Sequence, residues 1–194
     1  MIKLIVGLGN YGPKYVKTRH NIGFMAINQL VEYFDLKTFN KRYDAIYYEI
    51  NLSKDTKIIL IMPQTYMNNS GVAVQGFCRF FKIPASDVIV IHDDIDLELG
   101  KIKVKIGGGH GGHNGLKSVD QHIGANYLRI RLGVGKPQND INVADYVLNN
   151  FSMADSIVVN QMIDFIVDNI SDLLGANITL DDISRFISKY SNKP

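Results

Sequence analysis

Short apolar runs and helical periodicities alternate along this 194-residue chain, and that alternation restricts its fold more than any other feature. Residues 2–6, 57–62 and the run VIVIHDD at 88–94 are of strand length and rich in β-branched residues. Continuous apolar runs of this kind are strands buried on both faces. Residues 43–50 and 127–135 are further strand candidates. Between them, residues 21–34 place Phe24, Ile27, Leu30, Val31 and Phe34 at helical spacing, and residues 70–81 form a second helix with Asn69 or Ser70 placed to cap it. Two helical stretches, 153–174 and 180–190, end the chain, with Ser152 and Thr179 as N-caps and Gly175 as a stop. The pattern predicts one α/β domain over 1–194, a largely parallel sheet with helices on both faces. Polar residues gather where the strands end, which is where open α/β sheets bind ligands.

Composition excludes several classes. A hydrophobic share of 46% and a charged share of 21% are those of a globular protein, and a net charge of +2 requires any nucleic-acid affinity to come from a local patch. Cys78 is the sole cysteine, which rules out an internal disulfide and a multi-cysteine zinc site; its apolar neighbours make it a core thiol. The opening MIKLIVG is a strand followed by a turn, neither a signal peptide nor a membrane span, so the cytosol is the expected compartment.

The stretch GGGHGGHNG at 107–115 draws the chemistry together. Before it, Lys101, Lys103 and Lys105 alternate with Ile102, Val104 and Ile106, which sets three ammonium groups on one face of a strand. After it, Asn114 lies at the start of a helix whose amides and dipole suit an anion such as a phosphate. The competing reading is a flexible turn on an edge strand protected by lysines. Gly7, Gly9 and Gly12 match G-x-G-x-x-G, yet Pro13 and the following residues delay the helix, and no acidic residue ends a second strand at the required distance. These glycines instead let the chain turn and carry Asn10 into a cleft.

Asn10, His20, Asn68, Asp93 and Asn114 all fall at strand ends or helix starts that can share one sheet edge. Histidine is the natural base near neutral pH, a carboxylate on its far nitrogen fixes its tautomer, and asparagine N–H groups hold an oxyanion. No G-x-S-x-G elbow and no cysteine nucleophile is present, so water is the expected attacking group. His20 alone could equally be a packed helix-start residue, and His92, inside a buried strand, reads as structural. His110 and His113 with Asp93 and Asp94 could be proposed as metal ligands, but H-x-x-H in a glycine loop lacks the helical geometry of zinc pairs. The aromatic residues of 43–50 and 77–81 read as core.

GLGN at 7–10, Tyr15, TRHN at 18–21 with Gly23, YMNNSG at 66–71, HDDIDLELG at 92–100, GGGHGGHNGLKS at 107–118 and RIRLGVGKP at 129–137 together resemble the bacterial peptidyl-tRNA hydrolase family. Tyr11 and Glu98 stand where the family commonly has proline. The resemblance implies a single α/β domain with a mixed, largely parallel sheet and hydrolysis of the ester joining a peptide to the 3′ ribose of tRNA. It implies no cofactor or metal, and peptidyl-tRNA as partner, held at its acceptor end and 3′ adenosine. By matching motif, His20 is the base, Asp93 orients it, and Asn10, Asn68 and Asn114 position ester and water. Tyr15 and Tyr66 line the cleft with Met67 beneath, Lys103, Lys105 and Arg131 lie near tRNA phosphates, and His113 supports the site. A monomer with no obligate protein partner is the default. The rival readings are a non-catalytic RNA-binding protein on the same fold and a nucleotide-dependent enzyme using the first glycine loop.

Overall fold

Period-two alternation along the central strands sorts their side chains into two hydrophobic layers. The computed structural model describes residues 1–137 and 141–191. In chain order the regular elements are β1 (Ile2–Gly7), α1 (Ile22–Tyr33), β2 (Asn40–Arg42), β3 (Ala45–Asn51), β4 (Lys57–Pro63), α2 (Ser70–Phe81) and β5 (Val88–Asp94). There follow β6 (Ile102–Ile106), α3 (Asn114–Ile123), β7 (Leu128–Gly133), α4 (Val143–Leu148), α5 (Met153–Asn169) and α6 (Leu180–Ser191). The sheet order is β2-β3-β4-β1-β5-β7-β6. β4, β1, β5 and β7 are parallel, while β2, β3 and β6 join antiparallel at the two edges. Ile5, Leu60, Ile89, Ile91 and Ile130 pack against α1, α5 and α6. Leu4, Val6, Ile59, Ile61, Val88 and Val90 pack against α2 and α3. The fold is a single α/β domain with a mixed sheet and helices on both faces.

Several boundaries differ from the sequence expectation, each for a local reason. The strand expected from residue 43 begins at Ala45, because Tyr43 and Asp44 take φ of 47° and 52°. They form the two-residue turn of a β2–β3 hairpin, where two positive φ angles match the strand twist. Tyr43 and Phe80, expected in the core, are 37% and 48% exposed, with Arg42 stacked on Phe80. The helix expected over 153–174 ends at Asn169 and tightens into a 3-10 turn at Ile170–Leu173. Ser152 caps α5 in a reciprocal capping box with Asp155. Neither Asn69 nor Ser70 caps α2: the Ser70 hydroxyl donates to the Met67 carbonyl, and the free Gly71 amide donates to Ser118 Oγ of α3. Cys78 is buried, and burial pushes its thiol up to about 11. Among the described residues no helix is long and apolar enough to cross a membrane.

Candidate active site

Asp93 is the penultimate residue of β5, where the strand leaves the sheet between the two helix layers. Its carboxylate is 2% exposed yet fully engaged. His20, in the 3-10 turn Arg19–Asn21 that leads into α1, brings Nδ1 to 2.9 and 3.0 Å from the two carboxylate oxygens. His113 brings Nε2 to 3.0 Å from one of them. A carboxylate only accepts, so both rings carry their proton on the nitrogen facing Asp93. Burial by itself would raise the Asp93 carboxyl; the two rings and their hydrogen bonds outweigh it and hold the group well below the usual carboxylate range.

The far nitrogens differ. His113 is the N-cap of α3, and its Nδ1 accepts the Gly115 and Leu116 amides at 3.1 and 3.3 Å. Those first-turn amides were expected to face an anion; the His113 ring takes them instead. His20 Nε2 has no partner among the described residues and borders a cavity of about 780 Å³. His92 is buried behind them, its Nδ1 donating to the Asp93 carbonyl at 2.7 Å, and burial lowers it to about 3. It is a neutral packing residue at ordinary pH, as its place in a buried strand implied, and its Nε2 has no partner among the described residues.

Asn10 reaches the same cavity because β1 ends in a loop laid flat against α1. A Cβ on Gly7 would sit 2.3 Å from the Gly23 carbonyl oxygen, and one on Gly23 would sit 2.4 Å from that of Ile91. Only two glycines permit this approach. The loop is then clamped by Asn21, whose side-chain amide accepts the Asn10 N–H and donates to the Asn10 carbonyl, both at 2.9 Å. Asn10 Oδ1 accepts the Met67 amide at 2.8 Å, which leaves the Asn10 NH₂ for the cavity. Met67 lines the floor, and Asn68 and Asn114 stand exposed on the lining with no side-chain hydrogen bond among the described residues.

The basic residues lie at the β6–β7 end of the cavity. Across this antiparallel pair Lys103 faces Arg131 and Lys105 faces Arg129. Four cations so arranged repel one another unless compensated. Arg131 pairs with Asp94 at 2.7 Å, and the buried Arg129 pairs with Asp120 at 2.9 Å while holding the Gly109 carbonyl of the glycine loop at 2.8 Å. Lys103 and Lys105 have no carboxylate partner among the described residues. Lys105 and Arg131 line the cavity; Lys103 lies just outside it on the edge strand. The edge-strand reading of these lysines is therefore also met. Gly107, Gly108, Gly111 and Gly112 take positive φ, which accounts for the glycine content of the loop.

Tyr15 and Tyr66 are not in the main cavity. They form an edge-on contact at 6.5 Å beside it, with Tyr11 4.9 Å from Tyr66 on the other side. Arg129, Asn21 and α4 were given no role from the sequence, and Asp94 was raised only as a metal ligand. Val143, Ala144, Val147 and Leu148 of α4 form an apolar wall over the cavity. Arg129 alone left a signal, a charge at an inward position of a buried strand. His110 is not in the one group of possible ligand atoms found among the described residues, those of His20, Asp93 and His113, which lie within 4.8 Å of one another. A cation there would have to displace the protons that both rings place on Asp93. For His113 this would also break the bonds to Gly115 and Leu116, so the arrangement fits proton transfer better than metal ligation.

A family model described as peptidyl-tRNA hydrolase matches residues 4–193. Among curated relatives, the peptidyl-tRNA hydrolase of Rickettsia bellii (strain RML369-C) is 50% identical over 171 residues, covering 88% of this chain and 92% of the relative. That of Aliarcobacter butzleri (strain RM4018) is 46% identical over 190 residues, covering 98% and 99%. The crystal structure of peptidyl-tRNA hydrolase from Acinetobacter baumannii superimposes with a TM-score of 0.87 at 33% identity, over 98% of this chain and 95% of that one.

Proposed function

The chain belongs to the peptidyl-tRNA hydrolase family and is an ester hydrolase of that class, and from this premise we propose how its residues divide the reaction. The substrate is peptidyl-tRNA, cleaved at the ester between the peptide carboxyl and the 3′ ribose. His20 Nε2 takes a proton from water as the water oxygen attacks the ester carbonyl. Asp93 holds the proton of Nδ1 and stabilises the imidazolium that forms. The Asn10 NH₂ donates to the carbonyl oxygen as it gains charge, with Asn68 and Asn114 holding peptide amides from the rim. When the tetrahedral intermediate collapses, the C–O bond to the ribose breaks and the imidazolium returns its proton to the 3′ oxygen. The products are a free peptide and a tRNA with a 3′ hydroxyl, and no protein nucleophile is required. Lys103, Lys105 and Arg131 meet tRNA phosphates, and Tyr15 and Tyr66 flank the acceptor end. His113 holds the Asp93 carboxylate in place.

One observation carries this reading: His20 Nδ1 is 2.9 Å from Asp93, while its other nitrogen faces a cavity large enough for a substrate. The test is hydrolysis of N-acetyl-aminoacyl-tRNA, with EDTA present and unblocked aminoacyl-tRNA as control. Wild type releases N-acetyl-amino acid from the blocked substrate and leaves the unblocked one intact, and His20→Ala lowers kcat by about a thousandfold or more. A folded wild type that binds tRNA without cleaving it would instead make the chain an RNA-binding protein on this fold.

A further inference from the structure

We infer that Arg19, which the reaction scheme does not use, is a positioning residue that sets the distance between the α4 wall and His20. α4 has six residues, too few to hold a helix by its own hydrogen bonds, so its place depends on anchors at its ends. At its start Asn142 Oδ1 accepts the Ala144 amide at 2.8 Å, and the Tyr146 hydroxyl donates to the Val134 carbonyl at 2.7 Å. At its C-terminal end the anchor is Arg19. One guanidinium nitrogen donates to the carbonyls of Asn149 and Asn150 at 3.2 and 3.0 Å. Another lies 3.5 Å from the Asp155 carboxylate. The guanidinium carbon lies over the Tyr146 ring at 4.3 Å from its centroid and over the Phe151 ring at 5.3 Å. Around it the chain pairs like a short ribbon: the Arg19 amide donates to Asn149, the Phe151 amide to Lys17, and Thr18 bridges to Asn150.

The next residue after Arg19 is His20. The turn that carries the base and the end of the helix that roofs the cavity are therefore one mechanical unit, joined by a side chain that is only 12% exposed. A lysine could keep the charge, but its single nitrogen could not hold the two carbonyls and the Asp155 carboxylate at once while setting a planar group against two rings. The His20–Asp93 contact does not pass through the clamp. Loosening the clamp should therefore alter how the cavity grips substrate more than how the proton moves.

This inference rests on the proposed hydrolysis for its kinetic arm, and an exchange measurement without substrate tests it independently. Arg19→Lys and Arg19→Gln are compared with wild type by amide hydrogen exchange and by steady-state hydrolysis of N-acetyl-aminoacyl-tRNA. Both variants are expected to exchange residues 144–151 about tenfold faster, with α2 unchanged, the size expected when a charged hydrogen-bond pair is lost. KM rises about tenfold, kcat stays within about threefold, and the pH profile of kcat is that of wild type. Wild-type exchange in 144–151 would overturn the inference. So would equal acceleration in α2, which would make Arg19 a general stabiliser, or a loss confined to kcat. If Arg19→Gln does not fold, Arg19→Lys alone decides. Inactive wild-type protein would defeat the hydrolase reading and leave the exchange result standing.

Discussion

Asp93 is approached from the two helix layers by two histidines, and the surroundings of each ring make them different chemical objects. The His113 region ends a glycine loop and begins α3, so backbone amides are at hand and close off its second nitrogen. The His20 region is a tight turn paired with residues 149–151, where the Asn149 and Phe151 amides are already bonded to other carbonyls, and its second nitrogen stays open. The same side chain on the same carboxylate thus becomes, on the proposed reading, a brace in one place and a base in the other. Proximity to a carboxylate does not identify a base; the fate of the other nitrogen does.

The most severe way to break this comparison is Asp93→Asn. An amide is neutral and sets an NH₂ at the Oδ2 position, 3.0 Å from His20 Nδ1, so it favours the wrong tautomer of His20 and removes the charge that stabilises the imidazolium. Turnover at pH 7 is expected to fall about a thousandfold while the fold persists. A loss below about tenfold, measured with folded protein, would mean that the carboxylate does not separate the two rings.

His113 gives a smaller effect that sharpens the contrast. His113→Asn keeps a side-chain acceptor at the N-cap, whereas His113→Ala removes it and should cost about 1 kcal/mol more in denaturant unfolding. Both lose the second N–H on Asp93, so both should lower kcat by about tenfold. If asparagine restores turnover together with stability, His113 is a cap and nothing more.

The smallest effect belongs to His92, the third ring of the cluster. Its proton affinity is lowered from the ordinary 6.5 to about 3 by burial. Between these values the unfolded chain binds the proton and the folded one does not, so stability falls as pH falls from about 6.5 towards about 3. Relative to pH 7, His92→Asn should escape about 0.7 kcal/mol of wild-type stability loss at pH 6.0. Parallel stability curves for the two proteins would show that His92 does not titrate on unfolding. Asp93, held low, adds a loss of the same sign only below the ordinary carboxylate range.

Much of this geometry was readable beforehand. The runs at 2–6, 57–62 and 88–94 are strands because nothing but a sheet covered on both faces buries such runs, and Ser152 capped its helix because Asp155 lay three residues on. His20, Asp93 and Asn10 were placed together by the rule that parallel strands present their ends on one edge. What escaped depended on partners distant in sequence. α4 has too few residues for a periodicity and exists through Arg19 and Tyr146. Ser70 carried a capping residue's chemistry, but Ser118, 48 positions along the chain, supplied the cap. Arg131 read as a free cation until β5 brought Asp94 to its side.

The contact between Gly7 and Gly23 has a consequence for how such a protein can change over generations. Each glycine is held by the backbone of the other's segment, so a first substitution at either position is penalised before any second one can compensate. The interval from Asn10 to His20 is consequently sheltered from gradual drift. The α4 wall and the exposed Asn68 and Asn114 carry no such lock, so a lineage is free to retune what the cavity accepts while the spacing of its centre is inherited intact.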